Sequence, residues 1–113
     1  MFESVTSLAL GSALDGLSER QRVIANNIAN VNTPGYKAQR VLFEDALAKS
    51  VRQGDGAVAA TVADSLEPTR LDGNNVNLDT ETLSNVDTLL RYQFAARAVE
   101  GQFTSVRTAL RTN

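Results

Sequence analysis

The sequence predicts a mainly α-helical chain, in which long N- and C-terminal helices pair as an α-helical hairpin or coiled coil. A short helix and an irregular or short-strand segment lie between them. Three observations carry this. Leu10, Leu14, Leu17, Gln21, Ile24, Ile28 and Val31 fall at alternating steps of four and three, the 3.5-residue period of a coiled-coil seam, and only Gln21 is polar. Leu89, Tyr92, Ala96, Val99, Phe103, Val106 and Leu110 repeat the alternation near the other end. The 42% hydrophobic share includes no Trp, two Tyr and four Phe, so a core must come from Ala, Leu, Val and Ile, which suits helix packing.

The first helical segment occupies residues 1–33, with its seam flanked by a second stripe of Phe2, Val5, Ala9, Ala13 and Gly16. Past Phe2 these groups are small, so a neighbouring helix is expected to approach that side closely. At 1.5 Å per residue the helix would be roughly 40 to 45 Å long, too long for the compact packing of a chain this size. Asn32-Thr33-Pro34-Gly35 then stops it: Pro34 presets φ, Gly35 suits the next position of a type II turn, and Asn32 tolerates a left-handed cap.

Residues 34–79 form the connecting segment. Residues 38–52 are expected to be a short helix around Phe43, Ala46, Leu47 and Val51, and Gln53-Gly54-Asp55-Gly56 a loop. The run 57–63 is either a short strand or irregular. The asparagines Asn26, Asn27, Asn30 and Asn32, with Asn74, Asn75 and Asn77 further on, have two readings: caps and loop residues, or amides that hydrogen-bond across a subunit contact and fix register.

Residues 80–113 are the second long helix, with Thr80 or Thr82 as its N-cap and Glu81 in its first turn. Leu83, Val86, Leu90 and Phe94 widen its apolar stripe. One domain of two helices buries too little to stabilise so long a hairpin by itself, so the second faces are expected to pack against other chains.

Composition excludes several functions. With no His and no Cys there is no imidazole base, thiolate nucleophile, disulfide or zinc finger. The net charge of −2 provides no basic face for nucleic acid. Residues 72–79 resemble an acidic calcium loop, but the fifth, sixth and twelfth positions hold Val76, Asn77 and Leu83 where Asp or Asn, Gly and Glu are required. Asp79 and Glu81 have no supporting pocket residues for carboxylate catalysis. No enzyme activity, cofactor, metal, nucleic-acid partner or direct membrane insertion is therefore expected. No apolar run reaches the roughly 20 residues of a membrane span, and no cleaved leader is visible.

Residues 24–37 carry Asn26, Asn27, Ala29, Asn30, Thr33, Pro34, Gly35 and Tyr36, and this block closely resembles the N-terminal signature of the bacterial flagellar basal-body rod and hook proteins. Residues 72–81, followed by a helix with Tyr92-Gln93, resemble the C-terminal half of one short proximal rod protein of that family, whereas its other short proximal member approaches the C-terminal helix differently. Asn77 departs from that pattern, which has Asp.

The resemblance implies a structural subunit that stacks helically through its paired helices, so that Leu10, Leu14, Leu17, Ile24, Ile28, Val31 and the C-terminal seam serve assembly and helix packing. The rod so built would transmit motor torque from the membrane ring to the hook. Implied partners are further copies, other rod proteins, the membrane (MS) ring with its rod adaptor, and the flagellar type III export gate. The place implied is the basal body in the periplasmic space, reached by export without a cleaved leader. Phe43 and Leu47 resemble the Phe-x-x-x-hydrophobic segment that docks on the gate; they also read as an i,i+4 pair holding a short helix to the hairpin. The alternative is a small helical export chaperone or adaptor.

Overall fold

The computed structural model describes residues 4–111, so the expectation for Phe2 lies outside the described residues. The order is α1 (Val5–Ala29), β1 (Gln39–Leu42), α2 (Glu44–Arg52), β2 (Thr61–Asp64) and α3 (Leu78–Arg111). The long helices form the expected hairpin. The molecule measures 67 × 25 × 14 Å and its radius of gyration is 17.7 Å, where a compact chain of this length would have about 13 Å.

Ser4 caps α1, its Oγ accepting from the Ser7 N–H at 3.1 Å. The helix closes at Asn30, whose N–H donates to the Asn26 and Asn27 carbonyls and whose Nδ2 donates to Asn26 O at 2.8 Å. Val31 therefore lies beyond the helix rather than in its seam. Tyr36 N donates to Thr33 O at 3.2 Å and Gly35 has φ +77°, the type II turn that Pro34-Gly35 dictates. Asn32 is not the left-handed residue: among the described residues only glycines have positive φ.

Residues 39–42 are extended, not helical. Asn27 on α1 holds both backbone groups of Gln39, and β1 pairs antiparallel with β2, with Val41 opposite Val62. A tertiary contact thus overrides local helix preference. The helix begins at Glu44, with Glu44 and Asp45 in its first turn and Lys49 and Arg52 in its last, the arrangement the helix dipole favours.

Leu17, Val23, Val41 and Phe43 form the core, with Ala13, Leu47, Val58 and Ala60 packed against them. The middle segment thus covers the second α1 stripe, so the chain's own Phe43 takes the place expected for a neighbouring helix. A Cβ at Gly16 would lie 2.5 Å from Phe43 Cδ1, which explains the glycine. Arg20 locks the same contact: its guanidinium forks onto Glu44, donates to Val41 O at 2.6 Å and sits 4.9 Å from the Phe43 ring centre. Further along α1, Ser12 Oγ donates to Gly56 O and accepts from Val58 N, tying the 53–60 loop down.

The interior of the hairpin is polar at three levels. Asn27 meets Glu81, Gln21 Nε2 donates to Asn85 Oδ1 at 2.6 Å, and Ser7 Oγ donates to Gln102 Oε1 at 3.0 Å. On α3 the residues turned toward α1 include buried Glu81, Thr88 and Ala95 with half-buried Gln102, a seven-residue repeat of polar and small groups.

Candidate assembly site

The two signature blocks fold onto each other at the base of the hairpin. Asn27 is fully buried, and all four of its amide hydrogen-bonding positions are satisfied within the chain. Nδ2 donates to Gln39 O and Glu81 Oε1, both at 2.8 Å, while Oδ1 accepts from Gln39 N at 3.1 Å and the Tyr36 hydroxyl at 3.2 Å. This assigns Asn27 to the fold rather than to a subunit contact.

Asn74 does the same on the other side. It is fully buried, and its Nδ2 donates to the carbonyls of Asn30, Val31 and Thr33 while its Oδ1 accepts from Val76 N. The Asn75 Oδ1 accepts from Ala38 N at 2.7 Å. The carbonyls left open by the end of α1 are thus met by a loop more than forty residues later. Arg70 adds a fork, donating to Val31 O at 2.7 Å and Val76 O at 2.6 Å.

Asn77 is the α3 cap, in place of Thr80 or Thr82. Its carbonyl accepts from Glu81 N and its Oδ1 from Thr80 N. Its Nδ2 donates to Glu67 Oε1 at 2.8 Å, a bond that an aspartate at this position could not make. Thr80 Oγ1 donates to the same Glu67 oxygen, and Thr82 Oγ1 turns back to Leu78 O.

Two carboxyls are shifted in opposite directions. Burial pushes Glu81 above its ordinary value; the Asn27 hydrogen bond opposes this, and the charge of Glu67 adds to it. The Arg20 fork is the main cause holding Glu44 below its ordinary value.

The seam residues divide by burial. Leu17 and Ile24 are buried; Leu10, Leu14, Ile28 and Val31 are half-buried; Ala96, Val99 and Val106 are half-buried; Leu89, Tyr92, Phe103 and Leu110 are exposed. Of the signature, Asn26, Ala29, Thr33, Pro34 and Gly35 are exposed, and Asn30 and Tyr36 are half-buried. Phe43 is buried and Leu47 half-buried in the core cluster.

The outward side of α3 is strongly apolar. Leu83, Leu90 and Phe94 are 72%, 60% and 78% exposed, on the face of the helix away from α1. Beside the hairpin seam runs an open groove of about 470 Å³, lined by Leu17, Ser18, Gln21, Arg22 and Ala25 of α1 and by Leu89 and Tyr92 of α3. No helix among the described residues is long and apolar enough to cross a membrane.

The pattern of the flagella basal body rod protein family matches residues 8–37, the span from the α1 seam through the Pro34-Gly35 turn to Lys37. The chain is 34% identical over 122 aligned residues to the flagellar basal body rod protein FlgB of Escherichia coli K12, with 88% of each chain covered. The chain belongs to the FlgB family of flagellar basal body rod proteins. FlgB of Bacillus subtilis 168 is 31% identical over 115 aligned residues, with 89% of each chain covered. FlgB of Borrelia hermsii is 28% identical over 121, spanning 87% of this chain and 90% of the relative. Membership of the FlgB family makes the chain a structural rod subunit of the basal body, and the export-chaperone alternative is not favoured.

Sequence reasoning missed Arg20, Arg70, Thr88 and Gln102. The last two stand in a strict seven-residue series with Glu81 and Ala95, a signal visible only when polar residues are admitted to the seam.

Proposed function

We propose that this rod subunit belongs to the proximal rod, stacks helically with further copies and other rod proteins, and carries motor torque from the membrane ring toward the hook. The observation that supports this reading is the placement of large apolar side chains on the outside of α3, while polar and small groups fill its inner side. Exposed apolar area of this extent on a long helix calls for partners. The reading extends to the MS ring and its rod adaptor as neighbours and to the periplasmic space as location. No catalytic role is assigned.

Docking on the type III export gate by Phe43 and Leu47 belongs to the same reading. Phe43 is 5% exposed beneath Arg20 and against Gly16, so this reading has the gate meet the segment before the chain folds. Leu10, Leu14, Ile28, Leu89, Tyr92, Phe103 and Leu110 retain exposed or half-exposed apolar surface for subunit contacts.

Leu90→Asp and Phe94→Asp test the assembly reading without entering the core. Swimming and co-purification with basal bodies are expected to be lost in a strain that relies on the variant, while purified protein keeps the helical circular dichroism of the parent. Normal swimming with both variants would overturn it.

A further inference from the structure

Leu83, Leu90 and Phe94 form a ridge on one face of α3, and the α1/α3 groove lies on a different face of the hairpin. Ridge and groove therefore cannot cover each other within one molecule. Their chemistry is matched: the α1 side of the groove presents the small groups Ser18 and Ala25 beside Leu17, and Leu89 with Tyr92 completes an apolar trough for large knobs.

Charge selects the occupant and its direction. On the solvent side of the groove α1 carries Asp15, Glu19 and Arg22, a sum of −1; beside the ridge α3 carries Asp87, Arg91 and Arg97, a sum of +1. Arg22 is bound to Glu19 and Asp87 to Arg91, whereas Asp15 and Arg97 are exposed and have no ion pair among the described residues. Both surfaces run acid to base from N to C. An antiparallel approach with Phe94 near Ser18 sets the unpaired Arg97 opposite the unpaired Asp15, and brings the Asp87–Arg91 and Glu19–Arg22 pairs together as two neutral couples. A parallel approach with Phe94 near Ser18 would carry Arg97 beside Arg22 and set Asp15 opposite Arg91, which is already bound to Asp87, so the two unpaired charges would not meet.

We propose that the Leu83–Leu90–Phe94 ridge of one copy seats in the α1/α3 groove of a second copy, with the two contacting helices antiparallel. This rests on the rod reading and names one of its contacts. Because α1 and α3 are already antiparallel within a chain, neighbouring copies then point the same way. The contact is heterologous, each copy offering a ridge to one neighbour and a groove to the next, so the array propagates rather than closing as a dimer.

The absence of cysteine makes the test clean. Asp15→Cys/Arg97→Cys is expressed in place of the parent chain, basal bodies are isolated, and a short bismaleimide is added; circular dichroism of the purified variant confirms its fold. The expected result is a ladder of covalent oligomers, with none from Asp15→Cys/Asp87→Cys. Basal bodies that contain the variant but yield no ladder would overturn the contact and leave the rod reading standing. A ladder only from the Asp87 pair would overturn the antiparallel direction, and linkage only to other proteins would overturn the choice of a second copy. Absence of the parent chain from basal bodies would remove the rod reading and this contact with it. Independently, Asp15→Arg and Arg97→Asp should each abolish swimming, and the double exchange should restore it; failure of the double exchange to rescue, with all three proteins folded, counts against the pairing.

Discussion

Asn27 Nδ2 donates to Glu81 Oε1 at 2.8 Å, joining the start of one signature block to the end of the other across 54 positions of sequence. The same amide fixes β1 through Gln39 and the turn through Tyr36. One side chain thus sets the hairpin base, the strand and the turn.

Asn27→Ala should destabilise the chain by about 3 kcal/mol, since several buried partners lose their bonds at once. Urea unfolding followed by circular dichroism measures this. Asn27→Asp is expected to be worse than neutral as well, because a carboxylate cannot donate to Glu81 and would repel it. A variant as stable as the parent would contradict the role given to the amide.

Glu81→Gln keeps an acceptor for Asn27 and removes the buried charge. A carboxyl raised on folding binds its proton more tightly in the folded state, so the parent loses stability as pH climbs from the ordinary carboxylate value through the raised one. The glutamine variant should therefore be the more stable at neutral pH, with the gap closing below the ordinary carboxylate range. Thermal melts from pH 3 to pH 8 give the comparison; a less stable variant at neutrality would refute the sign.

Glu44 behaves in the opposite sense. Its depressed value means that the stability it adds is present above the ordinary carboxylate value and fades as pH falls through the folded value. Arg20→Ala should weaken that dependence, leaving the smaller share from the backbone hydrogen bonds at Phe43 and Glu44, and also loosen Phe43, which nuclear magnetic resonance of the Phe43 ring detects as a shifted, broadened signal.

Two glycines predict opposite outcomes. Gly16→Ala drives a methyl into the Phe43 ring and should cost about 1 to 3 kcal/mol. At Gly101 an added Cβ meets nothing within 4 Å, so Gly101→Ala should stabilise the helix by up to about 1 kcal/mol. Melting curves of the two variants on either side of the parent are the expected pattern.

The paired long helices were legible because apolar residues at steps of three and four admit one local geometry. The face each helix turns inward was not. The inner stripe of α3 contains Glu81, Thr88 and Gln102, which a hydrophobic reading discards, and Leu83 and Leu90, which it favours, point outward. Strand β1 was also hidden, since residues 39–42 are held extended by a side chain far upstream. The signature asparagines were recognisable as a pattern, yet their division was not: Asn27 and Asn74 are enclosed, while Asn26 is exposed. Burial of Phe43 follows from the missing side chain at Gly16, a pairing that only the folded chain reveals.

The three polar ties inside the hairpin also have a mechanical meaning. Greasy contacts are non-directional and let one helix slip past another at little cost, whereas hydrogen bonds lose most of their strength once donor and acceptor move out of line. Ser7–Gln102 and Asn27–Glu81 stand roughly 30 Å apart along α1, with Gln21–Asn85 between them. A pull on one helix is therefore resisted at both ends and within the span, and the hairpin bears shear as a pegged joint rather than a lubricated one.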